Sequence, residues 1–343
     1  MNVQNESKIL SMLEKQYNNF ENGLLYGKAG LALYYARLSS MDKSYNTTYN
    51  KIINDLLSKI DNNTAVEFSR GLLGIGLAVD FILKFYKDGN PDYVLEDIDA
   101  IIYRSLDMND HKKNIDVDIA AEGLLYIVLH IKYGIKGKTK KEIFVKKAIS
   151  LLEHVYAEKQ NNFFHESVPS QLFTKEFFLL YSIASLFEQG YYTDRIVHIC
   201  NELIYELSSS TPILQFNRLV RAFLVSKIVS TIKGISTLWN EFAELQIRQI
   251  SIDQLINNEC KNMQLNLSDG LTGVYLLMEQ INKCYPYPIF NISWDYYYKK
   301  VQNSLIKERI QKDDIQLYDM GINGFWGVNY CVDTRCNNIE DLF

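Results

Sequence analysis

Gly23-Leu24-Leu25-Tyr26-Gly27-Lys28-Ala29-Gly30-Leu31-Ala32-Leu33 is the stretch on which the reading of this chain turns. It is apolar almost throughout and contains a Gly-x-x-Gly pair, Gly27 and Gly30. A helix that is apolar all round has to be buried all round. The pattern returns at Arg70-Gly71-Leu72-Leu73-Gly74-Ile75, at Asp269-Gly270-Leu271-Thr272-Gly273-Val274 and at Met320-Gly321-Ile322-Asn323-Gly324-Phe325. Ala121-Glu122-Gly123-Leu124-Leu125-Tyr126 keeps only the first glycine, and Lys175-Glu176-Phe177-Phe178-Leu179 and Phe216-Asn217-Arg218-Leu219-Val220 fill the remaining gaps without glycine. The first-glycine column then reads 27, 71, 123, 176, 217, 270 and 321, which gives seven units spaced 41 to 53 residues apart. Self-similarity at such a period marks stacked supersecondary units.

Amphipathic segments alternate with the apolar ones: Tyr49 to Ile60, Val94 to Leu106, Ile143 to Tyr156, Ile196 to Leu207, Leu238 to Ile250 and Tyr296 to Ile310. Their apolar residues recur at helical spacing. Strand signals are nearly absent, with no alternating run bounded by Asn-Gly or Asp-Gly turns. All five prolines, Pro91, Pro169, Pro212, Pro286 and Pro288, fall in connections or at a helix start, where a missing amide hydrogen does no harm. The chain is therefore expected to be all-α, one domain over residues 1–343. Seven inner apolar helices and seven outer amphipathic ones would close into an (α/α) toroid. An open superhelix of helix pairs satisfies the same pattern. The glycines fit as a steric device that lets inner helices converge at one end.

The bulk numbers agree with a large core: 47% of residues are hydrophobic, and the chain holds 24 tyrosines and 17 phenylalanines. Net charge is −5 and well mixed, so nucleic acid is not an expected partner. The polar stretch from Met1 to Ser11 has no apolar signal core, which points to a cytoplasmic protein. The best apolar run, Gly71 to Leu83, is short and broken by Asp80, so no transmembrane segment is expected. Five scattered cysteines (Cys200, Cys260, Cys284, Cys331, Cys336) read as reduced thiols rather than a disulfide framework.

Inner helices that all begin on one face would direct unpaired amide hydrogens and positive dipole ends at a common cavity, a setting that favours anions. The residues before each first-glycine position, Tyr26, Arg70, Glu122, Lys175, Phe216, Asp269 and Met320, are expected to face it. Asp269 and Ser268 serve equally well as helix caps, and Asp118 and Glu122 as complements to a helix dipole. Lys175 and Arg70 stand against the dipole's sign. They suit either an acidic peptide segment or a salt bridge. His165, in Phe163-Phe164-His165-Glu166, has no second histidine or cysteine nearby and is a weak ligand candidate. The run Tyr296-Tyr297-Tyr298 reads as packing or interface.

The ladder of glycine-led segments resembles the lanthionine synthetase C-like (LanC-like) family over essentially the full length. The most specific stretches are Gly23 to Leu33 and Gly71-Leu72-Leu73-Gly74-Ile75-Gly76-Leu77-Ala78, followed by Val94-Leu95-Glu96-Asp97-Ile98-Asp99. The resemblance implies a toroid that cyclises ribosomal peptides by adding a cysteine thiol to a dehydrated serine or threonine. A zinc ion held by two cysteines and a histidine would activate the thiol. The first family ligand falls on Gln215 and the other two on Ser268 and Asp269. Glutamine, serine and aspartate together make a poor zinc set, so no zinc and no other cofactor is expected. The family's catalytic histidine falls on Lys175 and its arginine on Thr211, and its aspartate on Asp118 with a spacing one residue longer than expected.

Three functions follow as expectations. The leading one is a non-catalytic LanC-like protein, a pseudoenzyme that binds a precursor peptide or a peptide-modifying partner enzyme. The second is an enzyme with carboxylate chemistry of the glycosidase kind, using two of Asp118, Glu122, Glu176, Asp269 and Asp319. The third is a metal-free thioether cyclase with Asp118 or His165 as base.

Overall fold

The computed structural model describes residues 17–107, 115–158, 163–164, 171–260, 265–304, 308–309, 312 and 321–334. Among these every regular element is a helix and none is a strand. The protein is all-α. Its chain divides into two compact units, the first made of Met1–Gly89, Asn262–Leu276 and Ser293–Phe343, the second of Asn90–Lys261 and Leu277–Ile292.

In the first unit the quoted stretch yields the helix Lys28–Met41, with Gly27 at its N-cap. The second glycine segment yields Leu72–Phe81, capped by Gly71, and all ten of its residues are buried. Between them Asn46–Ser58 is amphipathic and buries only Tyr49, Ile52 and Leu56, one stripe at helical spacing. Lys28–Met41 packs against both of these helices and against the π-helical turn Ile322–Trp326. That turn begins after Gly321, bends at Gly324, where φ −100° and ψ −119° leave the helical region, and runs on into Gly327–Thr334. The expected long helix from Tyr296 is shorter, Trp294–Gln302. Two of its three tyrosines pack within the unit: Tyr297 is fully buried with its hydroxyl 2.9 Å from Thr272 Oγ1, and Tyr298 donates to the Val332 carbonyl.

In the second unit three largely apolar helices, Val117–Tyr133, Lys175–Glu188 and Gln215–Thr231, stand side by side in chain order. The amphipathic helices Lys138–Glu158, Thr193–Ser209 and Leu238–Arg248 flank that row. Each apolar helix is thus covered on more than one side, as its composition demands. The expected helix from Val94 is split at Leu95 into Pro91–Val94 and Glu96–Ser105, with Pro91 at the first position of the former.

One expectation needs correcting. The first-glycine column places a helix start at Gly123, with Asp118 and Glu122 ahead of it. Instead the helix begins at Val117, because the Asp116 carboxylate accepts the Asp118 N–H at 2.7 Å and caps it. Asp118 lies in the first turn and Glu122 one turn further in.

Candidate functional site

In the first unit glycine brings helix starts together through their backbones. A Cβ on Gly23 would lie 2.2 Å from the Cα of Arg70, and one on Gly321 would sit 1.9 Å from the Leu25 carbonyl oxygen. No side chain fits at such distances. The orphan amides of these helix starts are met by main-chain carbonyls: Lys28 N–H donates to Glu21, Leu72 N–H to Ala65 and Asn323 N–H to Leu25.

Four residues named from the sequence gather at this junction. Asn323 is their organiser: its Oδ1 accepts the Ser268 N–H at 2.6 Å, and its Nδ2 donates to the Tyr26 hydroxyl at 3.3 Å. Ser268 Oγ in turn donates to Asp269 Oδ1 at 3.4 Å. Burial pushes the Asp269 carboxyl above the usual range against hydrogen bonds from Asn266, Ser268 and its own amide. Burial likewise raises the Tyr26 phenol, an effect that Asp269 reinforces and Ser268 and Arg70 oppose. Asp269 is not the helix cap. The first residue of Leu271–Lys283 is Leu271, and Gly270, whose carbonyl accepts from Val274, holds the capping position. Arg70 is exposed and paired with Glu21 at 3.4 Å.

The second unit holds an open cavity of about 510 Å³ at the N-terminal ends of its three apolar helices. Its wall carries Asp118, Glu122, Lys175, Glu176 and Arg221, with a floor that includes Phe163, Phe173 and Phe178. Each helix contributes by position. Asp118 and Glu122 stand four residues apart on one face of Val117–Tyr133. Lys175 and Glu176 open Lys175–Glu188, whose cap is the Thr174 hydroxyl accepting from the Phe177 N–H. Lys175 Nζ lies 3.8 Å from Asp118 Oδ1 and 5.3 Å from the centre of the Phe163 ring. Its charge is met within the chain, as is that of Arg70.

Arg221 is the residue that sequence reasoning missed. It is 2% exposed, and its guanidinium grips Glu176 with two bonds, Nε to Oε1 at 2.9 Å and Nη2 to Oε2 at 2.7 Å. Its remaining hydrogens reach the Phe164 carbonyl at 2.8 Å and the Ser210 carbonyl. Such a bidentate, fully satisfied pair fixes the wall of the cavity rather than offering a charge to solvent. The signal was present: a lone arginine inside Leu219-Val220-Arg221-Ala222-Phe223 has to find a buried partner. A second missed group is Asp99, which accepts from Tyr126 at 2.6 Å, contacts His130 Nε2 at 3.1 Å and pairs with Lys140 at 2.7 Å. Its carboxyl sits below the usual range, because His130, Lys140 and Tyr126 outweigh a large burial penalty.

Gln215, where the resemblance places the first ligand, is buried, and its Oε1 accepts the Ser251 N–H at 2.8 Å. The Glu259 carboxylate takes the Gln215 and Phe216 amides at 2.7 and 2.8 Å, so the anion expected at this helix start is supplied by the chain itself. Phe216 is core. His165, Asp319, Met320 and Cys336 lie outside the described residues. Cys200, Cys260, Cys284 and Cys331 are not joined in disulfides.

No family model and no curated protein matches the chain. The residues themselves do not fit the zinc that the resemblance implies. Gln215 directs its one good donor oxygen at a main-chain amide, Ser268 at Asp269, and only Asp269 of the three carries a charge. Among the described residues no three of His, Cys, Asp and Glu are grouped to hold a metal ion, and no helix is long and apolar enough to cross a membrane.

Proposed function

We propose that the chain is a LanC-like protein without zinc-dependent cyclase activity, which binds a peptide through its open cavity. It would act as the binding or scaffold component of a ribosomal-peptide modification pathway in the cytoplasm, engaging a precursor peptide or a partner modifying enzyme. Closure of the helix pairs into a toroid belongs to this reading. The observation that carries it is the state of Gln215: a side chain buried and committed to Ser251 stands where a metal-bound thiolate would be needed. The glycine-tight helix starts and the rows of apolar helices flanked by amphipathic ones agree with it.

The test uses a fluorescein-labelled peptide bearing one cysteine and one dehydroalanine. Binding without loss of the alkylatable thiol is expected. Because thiol addition leaves the mass unchanged, thiol titration is the readout. Disappearance of the thiol in step with enzyme concentration would overturn the pseudoenzyme reading, and failure of the peptide to bind would overturn the binding role. One zinc per chain, by atomic absorption on the purified protein, would overturn the assignment of the site.

The carboxylate alternative rests on Asp118, Glu122 and Glu176 sharing one cavity. Glycoside hydrolysis needs an acid and a second carboxylate flanking the scissile bond, roughly 5–10 Å apart. Both oxygens of Glu176 are occupied by Arg221, and Asp118 and Glu122 project from one face of one helix. That leaves two groups on the same side of any ligand. Release of nitrophenol from nitrophenyl glycosides, abolished by Glu122→Gln, would restore this reading.

A further inference from the structure

Lys175 is an odd resident for the place it occupies. It is the first residue of its helix, where the dipole disfavours a cation, yet its ammonium group is folded back over the cavity. There it meets two features that together recognise a cation: the face of the Phe163 ring at 5.3 Å and the Asp118 carboxylate at 3.8 Å. Neither contact is tight, and Lys175 and Asp118 remain 31% and 61% exposed. A pair so placed is held weakly and exchanges readily with another cation. The rest of the wall favours such an exchange. Were Lys175 to swing into solvent, the described lining would keep three carboxylates, Asp118, Glu122 and Glu176, and one guanidinium, that of Arg221. Arg221 cannot recruit an anion, because its N–H groups are already taken by Glu176 and by the Phe164 and Ser210 carbonyls.

We propose that the cavity of the second unit is a subsite for a basic side chain, lysine or arginine, of a bound peptide, and that Lys175 is its built-in stand-in, displaced when the peptide arrives. The incoming cation would lie on Phe163 and pair with Asp118. The apolar neighbours Phe173, Phe178 and Val220 would cover its aliphatic stem. This rests on the peptide-binding reading above and adds the sign and chemistry of what is bound. It also replaces the acidic peptide segment that, beside a salt bridge, Lys175 suited on the sequence alone.

The test titrates acetylated, amidated glycine pentapeptides with arginine, glutamine or glutamate at the centre against the full chain by calorimetry. Acetyl-arginine amide serves as the single-residue probe. In the native protein the arginine peptide is expected to bind more tightly than the other two. Lys175→Met should raise its affinity by about tenfold and leave the glutamine peptide within about twofold. Asp118→Asn in the Lys175→Met background should erase the gain. Lys175→Gln repeats the experiment should the methionine variant fold poorly, and melting curves of each variant check the fold. An unchanged or weaker arginine-peptide affinity in both Lys175 variants, or preferential binding of the glutamate peptide, would overturn the proposal. Tight binding of all three peptides alike would overturn the subsite while leaving the peptide reading in place. Binding of acetyl-arginine amide without any of the pentapeptides would support the cation subsite and overturn the peptide reading.

Discussion

The apolar helices of the two units start in opposite ways. In the first unit the starts at Gly27, Gly71 and Gly321 lack side chains, and main-chain carbonyls from neighbouring segments reach their amides directly. In the second the starts are met by the side chains of Asp116, Thr174 and Glu259. The same orphan amides are satisfied in both, but the consequences differ. Backbone capping draws helices to contact distance and fills the junction, as the Gly23–Arg70 approach shows. Side-chain capping holds the starts apart by the length of a carboxylate or hydroxyl and leaves room for an open cavity lined with charge. The open cavity lies where the helix starts carry no glycine.

That contrast can be broken most forcefully at Arg221. Replacing it with methionine strands Glu176 beside apolar neighbours, and a loss of about 4 kcal/mol is expected in urea denaturation. Adding Glu176→Leu should recover much of it, whereas an equal loss in the double variant would show that the pair does not hold the wall. The corresponding test of the first unit is Gly23→Ala. Its new methyl would meet main chain rather than a pliable side chain, so about 3 kcal/mol should be lost. A native melting temperature would mean that the two segments can part without penalty. Glu259→Ala removes a single cap and is expected to cost about 1 kcal/mol, visible as a modest shift in the urea midpoint.

Two buried carboxyls, one in each unit, are shifted in opposite directions. Asp99, in the second unit, has its carboxyl depressed: burial opposes ionisation, but His130, Lys140 and Tyr126 more than offset it. Its contribution is therefore present above the ordinary aspartate range and lost as pH falls through the folded value. Asp269, in the first unit, is raised by burial, so it weighs against the fold at neutral pH and that penalty is relieved on acidification. Asp99→Asn should lower stability at pH 7, and the deficit should shrink as the pH drops below the aspartate range. Asp269→Asn should be at least as stable as the native chain at pH 7, with its advantage fading in acid. Identical pH profiles for the two variants would contradict both assignments. The smallest effect is expected for Gly123→Ala, where the added methyl meets only the flexible end of Leu106. The gain in helix propensity should leave stability within about 1 kcal/mol of native.

Gly123 also shows where sequence reading ran out. The periodicity of apolar residues was enough to place the amphipathic helices, and Asn46–Ser58 and Thr193–Ser209 fall where their spacing put them. The glycine column was ambiguous, because glycine serves a helix start at Gly27 but lies within a helix, against Leu106, at Gly123. Local sequence carries no mark of which neighbour will approach. The cavity was half legible. Register places Lys175, Glu122 and Asp118, but the approach of Lys175 to Asp118 and the bonds of Arg221 to Glu176 and Phe164 join segments about 45 to 57 residues apart, which no local pattern encodes.

The guanidinium of Arg221 ties together the Phe164 carbonyl, the Ser210 carbonyl and the Glu176 carboxylate, three points from separate stretches of chain. An intermediate with only one of them in place would expose a desolvated cation to an unfinished interior, so this corner has little reason to assemble piecemeal. It should form late and all at once. Amides around Phe164, Glu176 and Ser210 would then exchange their hydrogens at a common rate, opening as one cooperative block.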